Sequence, residues 1–390
     1  MRQPIVLFPY VEAGMGHITP MDAIADAFEQ KYGNQVQVVR SKFFTEGQDV
    51  KLKNFEDGLT GQVRKHNQNP RYGFFITTMM NVFAPFSLWA TMNFFRIGSK
   101  KRGIRHMEEL GADLVVSTHW ASNYYALKAK HKPLTVQYIP DAHINPMFAY
   151  PSNLTMISMP SGYASALKKK FRFNENNLKL VPFCIRKEAF EVTKDKKENR
   201  KALGLDAEKL TIVLAEGGYG IGKTQAICEE IVKRDLPVTI VPICGKNKEA
   251  YTYLTSLKTG KNTQLKVEGF TNRIFEYMAS ADLFMGKSGA STIAEPTFFG
   301  VPTIVTTHAT NIEKKISKYY VEEVGCAIEC FEPKQAVDKV EEFLNNPESL
   351  RILQKNTEKV KDNYGAEKTA DCIFELLTTR FPHLKEDAQK

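Results

Sequence analysis

Short apolar segments alternate with glycine-containing turns and helical segments through most of this 390-residue chain. The first, Ile5–Tyr10, leads into a turn that contains Gly14 and Gly16, and a helix is predicted to follow with Thr19 as its N-cap. This order is typical of a parallel, doubly wound sheet, because parallel neighbours need a crossover helix between them. The alternation restarts at Leu210–Ala215. The sequence therefore predicts an α/β fold with two similar halves.

Apolar runs that end at glycine, proline or polar residues locate the remaining elements. The predicted strands are Ile5–Tyr10, Val36–Val39, Asp113–Ser117, Thr135–Ile139, Asn153–Ser158, Leu178–Val181, Leu210–Ala215, Val238–Val241, Leu265–Val267, Leu283–Met285 and Thr303–Thr306. The later predicted helices are Gly162–Lys170, Thr224–Lys233, Lys248–Leu257, Ile274–Ala279, Ala336–Phe343, Pro347–Asn363 and Glu367–Thr378.

The polar segment at residues 188–199 is the predicted boundary between two domains, a number that the chain length also favours. We therefore expect an N-terminal domain at 1–187, a linker at 188–199 and a C-terminal domain at 200–366. Residues 367–390 are expected to form a C-terminal helical segment that returns to the first domain.

The basic excess lies wholly in the first half. Residues 1–187 contain 24 lysines and arginines against 13 acidic residues, a net charge of +11, whereas the remainder carries −2. Partners of the first half are expected to be anionic: phosphates, nucleic acid or an anionic membrane face.

The six cysteines are scattered, and their spacing indicates neither a zinc site nor a disulfide framework. The N-terminus leads directly into a strand-like run without a signal-peptide pattern. We expect reduced, buried thiols in a cytoplasmic protein.

Residues 58–107 contain no acidic side chain and surround an uncharged aromatic run between Arg71 and Arg96. Pro85 and the polar residues of the run argue against a membrane span, so two helical segments broken near Pro85 are predicted. They are either core helices of the first domain or, as basic residues beside aromatic ones favour, a surface that meets anionic lipid. The residues predicted to face the membrane are Trp89, Phe94, Phe95, Arg96, Lys100, Lys101, Arg102 and Arg105.

A second glycine-rich turn follows the strand Leu210–Ala215. Its sequence GGYGIGKT, residues 217–224, fits the P-loop pattern of nucleoside triphosphatases. A P-loop enzyme also needs a strand that ends in Asp to hold magnesium, and no predicted strand after Gly222 ends in one. A phosphate-binding loop is therefore favoured, and a nucleoside triphosphatase or nucleotide-binding module is the alternative.

The stretch from Met285 to Lys315 reads as a strand end, a turn of small residues, a helix, a second strand and a polar loop. Small side chains let a ligand approach the backbone, and helix N-termini attract phosphate. Glu295, one turn into the helix, is placed to accept hydrogen bonds from sugar hydroxyls. The stretch is interpreted as a site for a nucleotide-diphosphate-sugar, with an ordinary tight turn as the alternative.

His17 and Asp141 are the candidate catalytic residues of the first half. His17 follows the first strand within a glycine-rich turn, and Asp141 follows Thr135–Ile139, where open α/β sheets place ligands. Asp141 is favoured as the base that deprotonates an acceptor and His17 as the group that positions it. The alternatives are a packing or capping histidine and a turn carboxylate.

These motifs resemble the GT-B glycosyltransferases of family 28. The family includes monogalactosyldiacylglycerol synthases, bacterial diacylglycerol glucosyltransferases and, more distantly, the peptidoglycan N-acetylglucosaminyltransferase. The resemblance is carried by residues 13–17, 139–147, 181–186, 216–222 and 269–278, and most specifically by the Lys-x-Gly-x-x-Thr-Ile-Ala-Glu pattern that starts at Lys287. It implies two Rossmann-like domains that face a cleft, with the nucleotide-sugar bound by the second.

The resemblance also implies roles for individual residues. The diphosphate would lie against Gly217, Gly218, Tyr219 and Gly220 on one side and Ser288, Gly289, Ala290, Ser291 and Thr292 on the other. Phe270 would lie beside the uracil, Glu295 would bind the ribose, and Asn311 and Glu313 would face the sugar. Gly14 and Gly16 would form the turn on the acceptor side.

The implied reaction is inverting, metal-independent transfer of a hexosyl group from a UDP-sugar to a membrane lipid hydroxyl, of the diacylglycerol or glycolipid type. A soluble small-molecule acceptor is the alternative. No cofactor and no nucleic-acid partner are expected. The protein is expected to lie on the inner face of the membrane as a peripheral protein.

Overall fold

Parallel pairing governs the architecture. In the computed structural model, which describes residues 2–12, 15–83, 99–144, 148, 152–168, 173, 175–216 and 222–387, twelve strands form two six-stranded sheets. Neighbouring strands run parallel in both sheets. Parallel sheets are buried on both faces, which is why their strands are nearly continuous apolar runs.

The first sheet has the order β2-β1-β3-β4-β5-β6. Its strands are β1 (Ile5–Pro9), β2 (Gln37–Ser41), β3 (Leu114–Ser117), β4 (Leu134–Ile139), β5 (Leu154–Ile157) and β6 (Leu178–Leu180). The helices between them are α1 (Met15–Tyr32), α2 (Val50–Gln68), α3 (Pro70–Val82), α4 (Lys100–Glu109), α5 (Trp120–Lys128) and α6 (Pro160–Lys168), with a 3₁₀ turn at Glu175–Asn177.

The second sheet has the order β12-β11-β10-β7-β8-β9. Its strands are β7 (Leu210–Ala215), β8 (Val238–Ile243), β9 (Gln264–Leu265), β10 (Leu283–Lys287), β11 (Thr303–Thr307) and β12 (Ala327–Glu329). The helices after β6 in chain order are α7 (Glu188–Glu191), α8 (Lys196–Leu203), α9 (Thr224–Lys233), α10 (Lys248–Ser256), α11 (Ile274–Ser280), α12 (Ala290–Phe298), α13 (Asn311–Lys318), α14 (Pro333–Asn345), α15 (Pro347–Thr357), α16 (Glu367–Thr378) and α17 (His383–Asp387), with a π-helical turn at Tyr319–Val324 and a 3₁₀ turn at Glu358–Val360.

The chain divides into two units. The first comprises Met1–Val63, Phe75–Lys187 and Gly365–Lys390, and the second comprises Arg64–Phe74 and Glu188–Tyr364. Residues 64–74 were predicted as part of the N-terminal domain, but they group with the second unit because Gly73 and Phe74 contact the loop after β11. The segment predicted as a linker, 188–199, contains α7 and the first half of α8 and groups with the second unit.

The C-terminal helix α16 completes the core of the first unit. Its apolar residues Ile373, Phe374 and Leu377 are buried with β1, β3 and β4 in one hydrophobic cluster. The ring of Phe374 stacks on Tyr32 of α1, with centroids 3.9 Å apart and planes 2° apart. Two distant parts of the sequence therefore build one core.

Helix α1 begins earlier than predicted, at Met15 rather than after Thr19. Pro20 lies inside the helix, where it removes the N–H that would bond to the carbonyl of Gly16. The first four N–H groups of a helix have no intrahelical partner in any case. Pro20 therefore costs α1 only one hydrogen bond, the one to the Gly16 carbonyl. As a result, His17 belongs to the first turn of a helix and not to a glycine-rich loop.

Within the part of the chain that the structure describes, no helix has both the length and the apolar character that a membrane span requires.

Truncation of Phe374 tests the return of the C-terminal helix. We expect Phe374→Ala to lower the unfolding free energy of the first unit by about 3 kcal/mol or more, because a stacked core ring is lost. Urea unfolding followed by tryptophan fluorescence reports on this unit, since Trp89 and Trp120 both fall within it. The control is Ile352→Ala, whose side chain is 56% exposed in the second unit. Equal stability of the two variants would contradict the packing of α16.

Candidate active site

Strand order reverses between β1 and β3 in the first sheet and between β7 and β10 in the second. In open α/β sheets, the loops at the carboxyl ends of the strands diverge at such a point and leave a crevice for ligands. Each unit therefore has one position where a site is expected on topology alone.

At the reversal in the first sheet, His17 is held from both sides by the end of β3. Its Nδ1 lies 2.8 Å from the carbonyl oxygen of Thr118, and the Thr118 hydroxyl donates to the His17 carbonyl at 2.8 Å. A carbonyl oxygen only accepts, so the neutral ring carries its hydrogen on Nδ1 and keeps a lone pair on Nε2. Burial lowers the pKa of His17. The residue is therefore a neutral imidazole with an unprotonated Nε2, the form that a general base requires.

A second histidine, His119, lies beside it and was not predicted. Its ring meets His17 edge-on, with centroids 4.8 Å apart, and its Nδ1 accepts from the N–H of Ala121 at 3.2 Å as the N-cap of α5. Burial, and then the neighbouring His17, hold the pKa of His119 well below its usual range. His119 follows the apolar strand β3 just as Asp141 follows β4, so the rule that selected Asp141 as a candidate could also have selected His119.

The turn between β1 and α1 is fixed by helix α2. The buried Glu56 carboxylate accepts from the N–H of Glu12 at 2.7 Å, and the Thr60 hydroxyl donates to the Glu12 carbonyl at 2.9 Å. Burial raises the pKa of Glu56. Gly16, at the start of α1, has open space where a side chain would stand, whereas Gly14 lies outside the described residues.

Asp141 follows β4, the neighbour of β3 in the sheet, so its loop opens at the same edge as His17 and His119. Helix α6 approaches the loop closely at Gly162, where a Cβ would lie 2.3 Å from the carbonyl oxygen of Asp141. The glycine therefore permits the contact that fixes the Asp141 backbone.

At the reversal in the second sheet, Glu216 directly follows the last residue of β7, and its side chain is buried. Its Oε1 accepts from the Thr306 hydroxyl at 2.9 Å and from the N–H of Lys223 at 3.3 Å. A Cβ on Gly222 would lie 2.2 Å from the Glu216 carboxyl carbon, so glycine is required there. Burial raises the pKa of Glu216. The sequence between Glu216 and Gly222 includes four residues that were predicted to bind the donor and that lie outside the described residues: Gly217, Gly218, Tyr219 and Gly220.

Across the reversal, β10 ends at Lys287 and helix α12 begins at Ala290, with Ser288 and Gly289 between them. The first-turn N–H groups of a helix lack intrahelical partners and carry the positive end of its dipole. The predicted residues Ala290, Ser291 and Thr292 form that turn, and Glu295 lies one turn later with its side chain buried. A Cβ on Gly289 would lie 3.0 Å from the Thr292 hydroxyl, so the turn is closely packed.

Helix α13 brings a carboxylate to Lys287. Glu313 Oε1 lies 3.1 Å from Lys287 Nζ, and Glu313 Oε2 accepts from the N–H of Ala309 at 2.6 Å. Asn311 Nδ2 lies 3.4 Å from the carbonyl oxygen of Phe74. The two residues predicted to face the sugar therefore lie on one helix, with the loop that precedes it held by Glu313.

Phe270, after β9, is 68% exposed, and Lys246 Nζ lies 6.0 Å from its ring centroid. An exposed aromatic face of this kind is suited to stacking on a planar base.

Ser288 is the start of a second set of contacts that was not predicted. It connects through His308 to Glu329, two residues that sequence reasoning missed because 20 and then 21 positions separate the partners.

Among the predicted membrane residues, Trp89, Phe94, Phe95 and Arg96 lie outside the described residues. Lys101, Arg102 and Arg105 are exposed on α4, and Lys100 is partly exposed. Among the residues that the structure describes, no group of three or more His, Cys, Asp or Glu side chains is arranged to hold a metal ion.

Comparison with known proteins matches a family model to a range that lies mostly in the second unit. Residues 223–369 match the glycosyltransferase family 28 C-terminal domain. A processive diacylglycerol beta-glucosyltransferase of Staphylococcus epidermidis (strain ATCC 12228 / FDA PCI 1200) is 30% identical over 189 residues, which are 48% of this chain and 48% of that relative. The match thus spans about half the length of that relative.

Two further similarities extend over nearly the whole chain. A probable monogalactosyldiacylglycerol synthase, chloroplastic, of Nicotiana tabacum is 23% identical over 96% of this chain and 71% of its own length. The crystal structure of Acinetobacter baumannii MurG has a TM-score of 0.57 at 15% identity and covers 96% of this chain and 100% of the MurG chain. The predicted GT-B fold, α/β with two Rossmann-like sheets, is confirmed.

The neutral state of His119 predicts a pH dependence of stability. The pKa of His119 is lower in the folded than in the unfolded chain, so the unfolded chain takes up the proton first as the pH falls. The neutral His119 contributes its full stabilisation above the pKa of an unfolded histidine, about 6.5. Below that pH the unfolding free energy falls by at most about 1.4 kcal/mol per pH unit on its account.

We therefore expect His119→Asn, which keeps an N-cap side chain, to lose less stability between pH 7 and pH 5 than the wild type does. Urea unfolding at a series of pH values measures this, and the difference between the two proteins at pH 8 corrects for the change of cap. Parallel pH curves would show that His119 titrates equally in both states.

Proposed function

Residues 223–369 form a glycosyltransferase family 28 C-terminal domain, and on this premise we propose that the chain is an inverting, UDP-sugar-dependent hexosyltransferase that acts on a membrane lipid hydroxyl. The observation that carries the proposal is the start of α12 at the strand reversal of the matched domain, beside Lys287. There, the first-turn N–H groups of the helix, which lack intrahelical partners, follow Lys287 at a point where a ligand crevice is expected.

In this proposal the donor lies across the reversal of the second sheet. Its diphosphate binds the turn from Ser288 to Thr292 on one side and the loop from Gly217 to Gly220 on the other. Phe270 stacks on the uracil, Glu295 accepts from the ribose hydroxyls, and Asn311 and Glu313 bind the sugar. The N–H groups of α12 stabilise the charge that develops on the leaving UDP, without a metal ion or a cofactor.

The sequence favoured Asp141 as the base, but the contacts of His17 support the opposite order, and we assign deprotonation of the acceptor hydroxyl to His17. The hydroxyl oxygen attacks the anomeric carbon, the bond to the UDP oxygen breaks, and the proton passes to the base. The Nδ1 contact with Thr118 supports this role, since it leaves the Nε2 lone pair for the proton. Asp141, on the neighbouring loop, is the alternative base.

The rival reading as a nucleoside triphosphatase rests on GGYGIGKT. In a P-loop the lysine reaches the β- and γ-phosphates. Here Lys223 instead donates to the carbonyl oxygen of Phe331, and α9 begins only at Thr224. This contact favours the glycosyltransferase reading.

The lipid acceptor is supported by the relatives named above and by helix α3. Phe75, Met79 and Val82 are 62%, 37% and 67% exposed, and Phe83, which follows, is 49% exposed. Positions i, i+4, i+7 and i+8 fall on one helical face, and an exposed apolar stripe of this kind is suited to a lipid surface. The exposed basic residues of α4 in the same unit would meet anionic headgroups.

One experiment tests the proposed function directly. The protein is incubated with diacylglycerol in mixed micelles and with UDP-glucose, UDP-galactose or UDP-N-acetylglucosamine, and the lipid products are analysed by mass spectrometry. A glycolipid from one donor is expected. Thermal shifts with UDP and with Mg-ATP are measured alongside. Stabilisation by Mg-ATP and not by UDP would establish the rival reading, and turnover of soluble alcohols alone would exclude the lipid acceptor.

The choice of base predicts a difference between two variants. We expect His17→Asn to lower kcat by about 10²-fold or more with a nearly unchanged Kd for UDP, because general bases contribute on that scale and the donor site is in the other unit. Asp141→Asn is expected to have a smaller effect on kcat. Initial rates at saturating donor measure both, with Glu295→Ala, which should weaken UDP binding, as the donor-site reference. A larger loss in Asp141→Asn would transfer the role of base to Asp141.

The apolar stripe predicts membrane binding. Phe75→Asp with Val82→Asp should reduce flotation with anionic liposomes by about tenfold or more, since each buried apolar side chain contributes about 1.5–3 kcal/mol. The matched control is Ile352→Asp, an exposed apolar residue on α15 in the second unit. Flotation that is unchanged in the double variant, or indifferent to anionic lipid, would contradict the proposed membrane surface.

A further inference from the structure

A chain of hydrogen bonds runs beneath the start of α12. It is buried at Ser288 and His308 and ends at the exposed Glu329. Ser288 Oγ lies 2.6 Å from His308 Nδ1, and His308 Nε2 lies 3.1 Å from Glu329 Oε1. Glu329 Oε1 also accepts from the Ser317 hydroxyl at 2.6 Å. The Ser288 side chain is fully buried and His308 is 9% exposed. The three groups thus join the ends of β10, β11 and β12 below the donor turn.

The hydrogens of this chain follow from what each group can accept. A carboxylate only accepts, so His308 carries a hydrogen on Nε2 for Glu329. In the neutral ring, Nδ1 is then the acceptor and the Ser288 hydroxyl donates to it. Full burial of Ser288 excludes the other reading of a Ser–His–Glu arrangement, in which the serine attacks a substrate.

The same chain also accommodates the protonated ring. Nδ1–H then donates to Ser288 Oγ, and the Ser288 hydroxyl turns toward the carbonyl oxygen of Thr307, which lies 3.5 Å away. Glu329 continues to accept from Nε2. Both protonation states of His308 therefore keep their hydrogen-bond partners, so a proton is added without an unpaired buried group.

We propose that His308 is a positioning residue that takes up one proton from solvent when a donor diphosphate binds at the turn above it, and that Glu329 stabilises the resulting imidazolium. The inference rests on the proposed function. The protonated His308, hydrogen-bonded to Ser288 two residues before α12 begins, then offsets the negative charge of the diphosphate together with the helix N–H groups. The proton is released again when UDP leaves.

The charges that face His308 agree with this two-state behaviour. Burial lowers the pKa of His308, whereas Glu329 on β12 and Glu313 on α13 raise it and Lys314 on α13 lowers it. Lys287 on β10 is paired with Glu313, and Lys223 donates to the carbonyl oxygen of Phe331, whose ring lies 4.9 Å from the imidazole. Burial keeps the ring neutral without ligand, and an added anion shifts the balance toward the charged form.

Titration calorimetry with a UDP-hexose tests the proposal, because the donor itself has no group that titrates near neutrality. UDP-glucose or UDP-galactose, whichever supports turnover, is titrated in two buffers of different ionisation enthalpy at pH 6 to 8. The wild type is expected to take up a fraction of a proton, and its Kd should increase with pH by up to about tenfold per unit.

Two variants locate the proton. His308→Asn should abolish both the uptake and the pH dependence of Kd, and Glu329→Gln, which keeps the hydrogen bond but not the charge, should reduce them. His66→Asn is the matched control, because His66 and His308 are the two histidines of the second unit and both face Glu313. It should retain the uptake of the wild type.

The outcomes distinguish failure of the proton uptake from failure of the proposed function. Binding of the UDP-hexose without proton uptake, or uptake that survives His308→Asn and disappears in His66→Asn, overturns this inference and leaves the proposed function intact. If the wild type binds none of the UDP-hexoses, the proposed function fails and this inference fails with it. If His308→Asn does not fold, the Glu329→Gln titration decides the question alone.

Discussion

Parallel strands force every strand of a sheet to end at the same edge, and this constraint organises both units. Where the strand order reverses, adjacent loops leave in opposite directions and the backbone beneath them is exposed to a ligand. In the second unit the reversal places Glu216 and Lys287 at neighbouring strand ends. In the first it places His17 beside Thr118 and His119. The chemistry of each unit is thus located by topology before any side chain is considered.

Burial then decides which protonation states these side chains can hold. Without a charged partner, a buried imidazole loses its proton more readily, which is why His17 and His119 have lowered pKa values. Glu216 is affected in the opposite sense, since burial raises the pKa of a carboxyl group. His308 differs from the first pair, because Glu329 offsets part of the cost of the charged ring. The nearby Glu329 carboxylate therefore distinguishes His308 from His17 and His119, although burial lowers the pKa of all three.

The sequence was sufficient for the architecture because strand positions depend on local patterns. Leu210–Ala215 was predicted at its observed bounds, as were helices Thr224–Lys233 and Glu367–Thr378. The start of α1 was wrong because Pro20 was taken as a first-turn residue, whereas it lies inside the helix, a position that proline usually avoids. The strand β12 was missed because three residues carry too little periodicity.

The candidate sites were predictable only where a motif is continuous in sequence. Lys287 to Glu295 is such a motif, and its residues do lie at a strand end and a helix start. The contacts of His17 with Thr118 join residues 101 positions apart, and nothing local in either segment encodes them. The same holds for residues 64–74, whose contact with the loop after β11 depends on Gly73 lying against Ala309. The roles of the predicted residues stay predictions until ligand binding is measured.

Net charge and local charge lead to different conclusions about the donor. The part of the sequence after residue 187 carries a net charge of −2, so long-range attraction would not bring a diphosphate to the second unit. At physiological ionic strength, charges more than about 8 Å apart are largely screened in any case. Lys287 is already paired with Glu313, so the helix N–H groups and a protonatable His308 would add local positive potential at the turn. The excess of +11 in the first 187 residues is instead suited to a lipid surface. On the proposed function, the net positive charge of the first 187 residues would favour contact with an anionic membrane face, whereas the local geometry of the donor turn would bind the diphosphate.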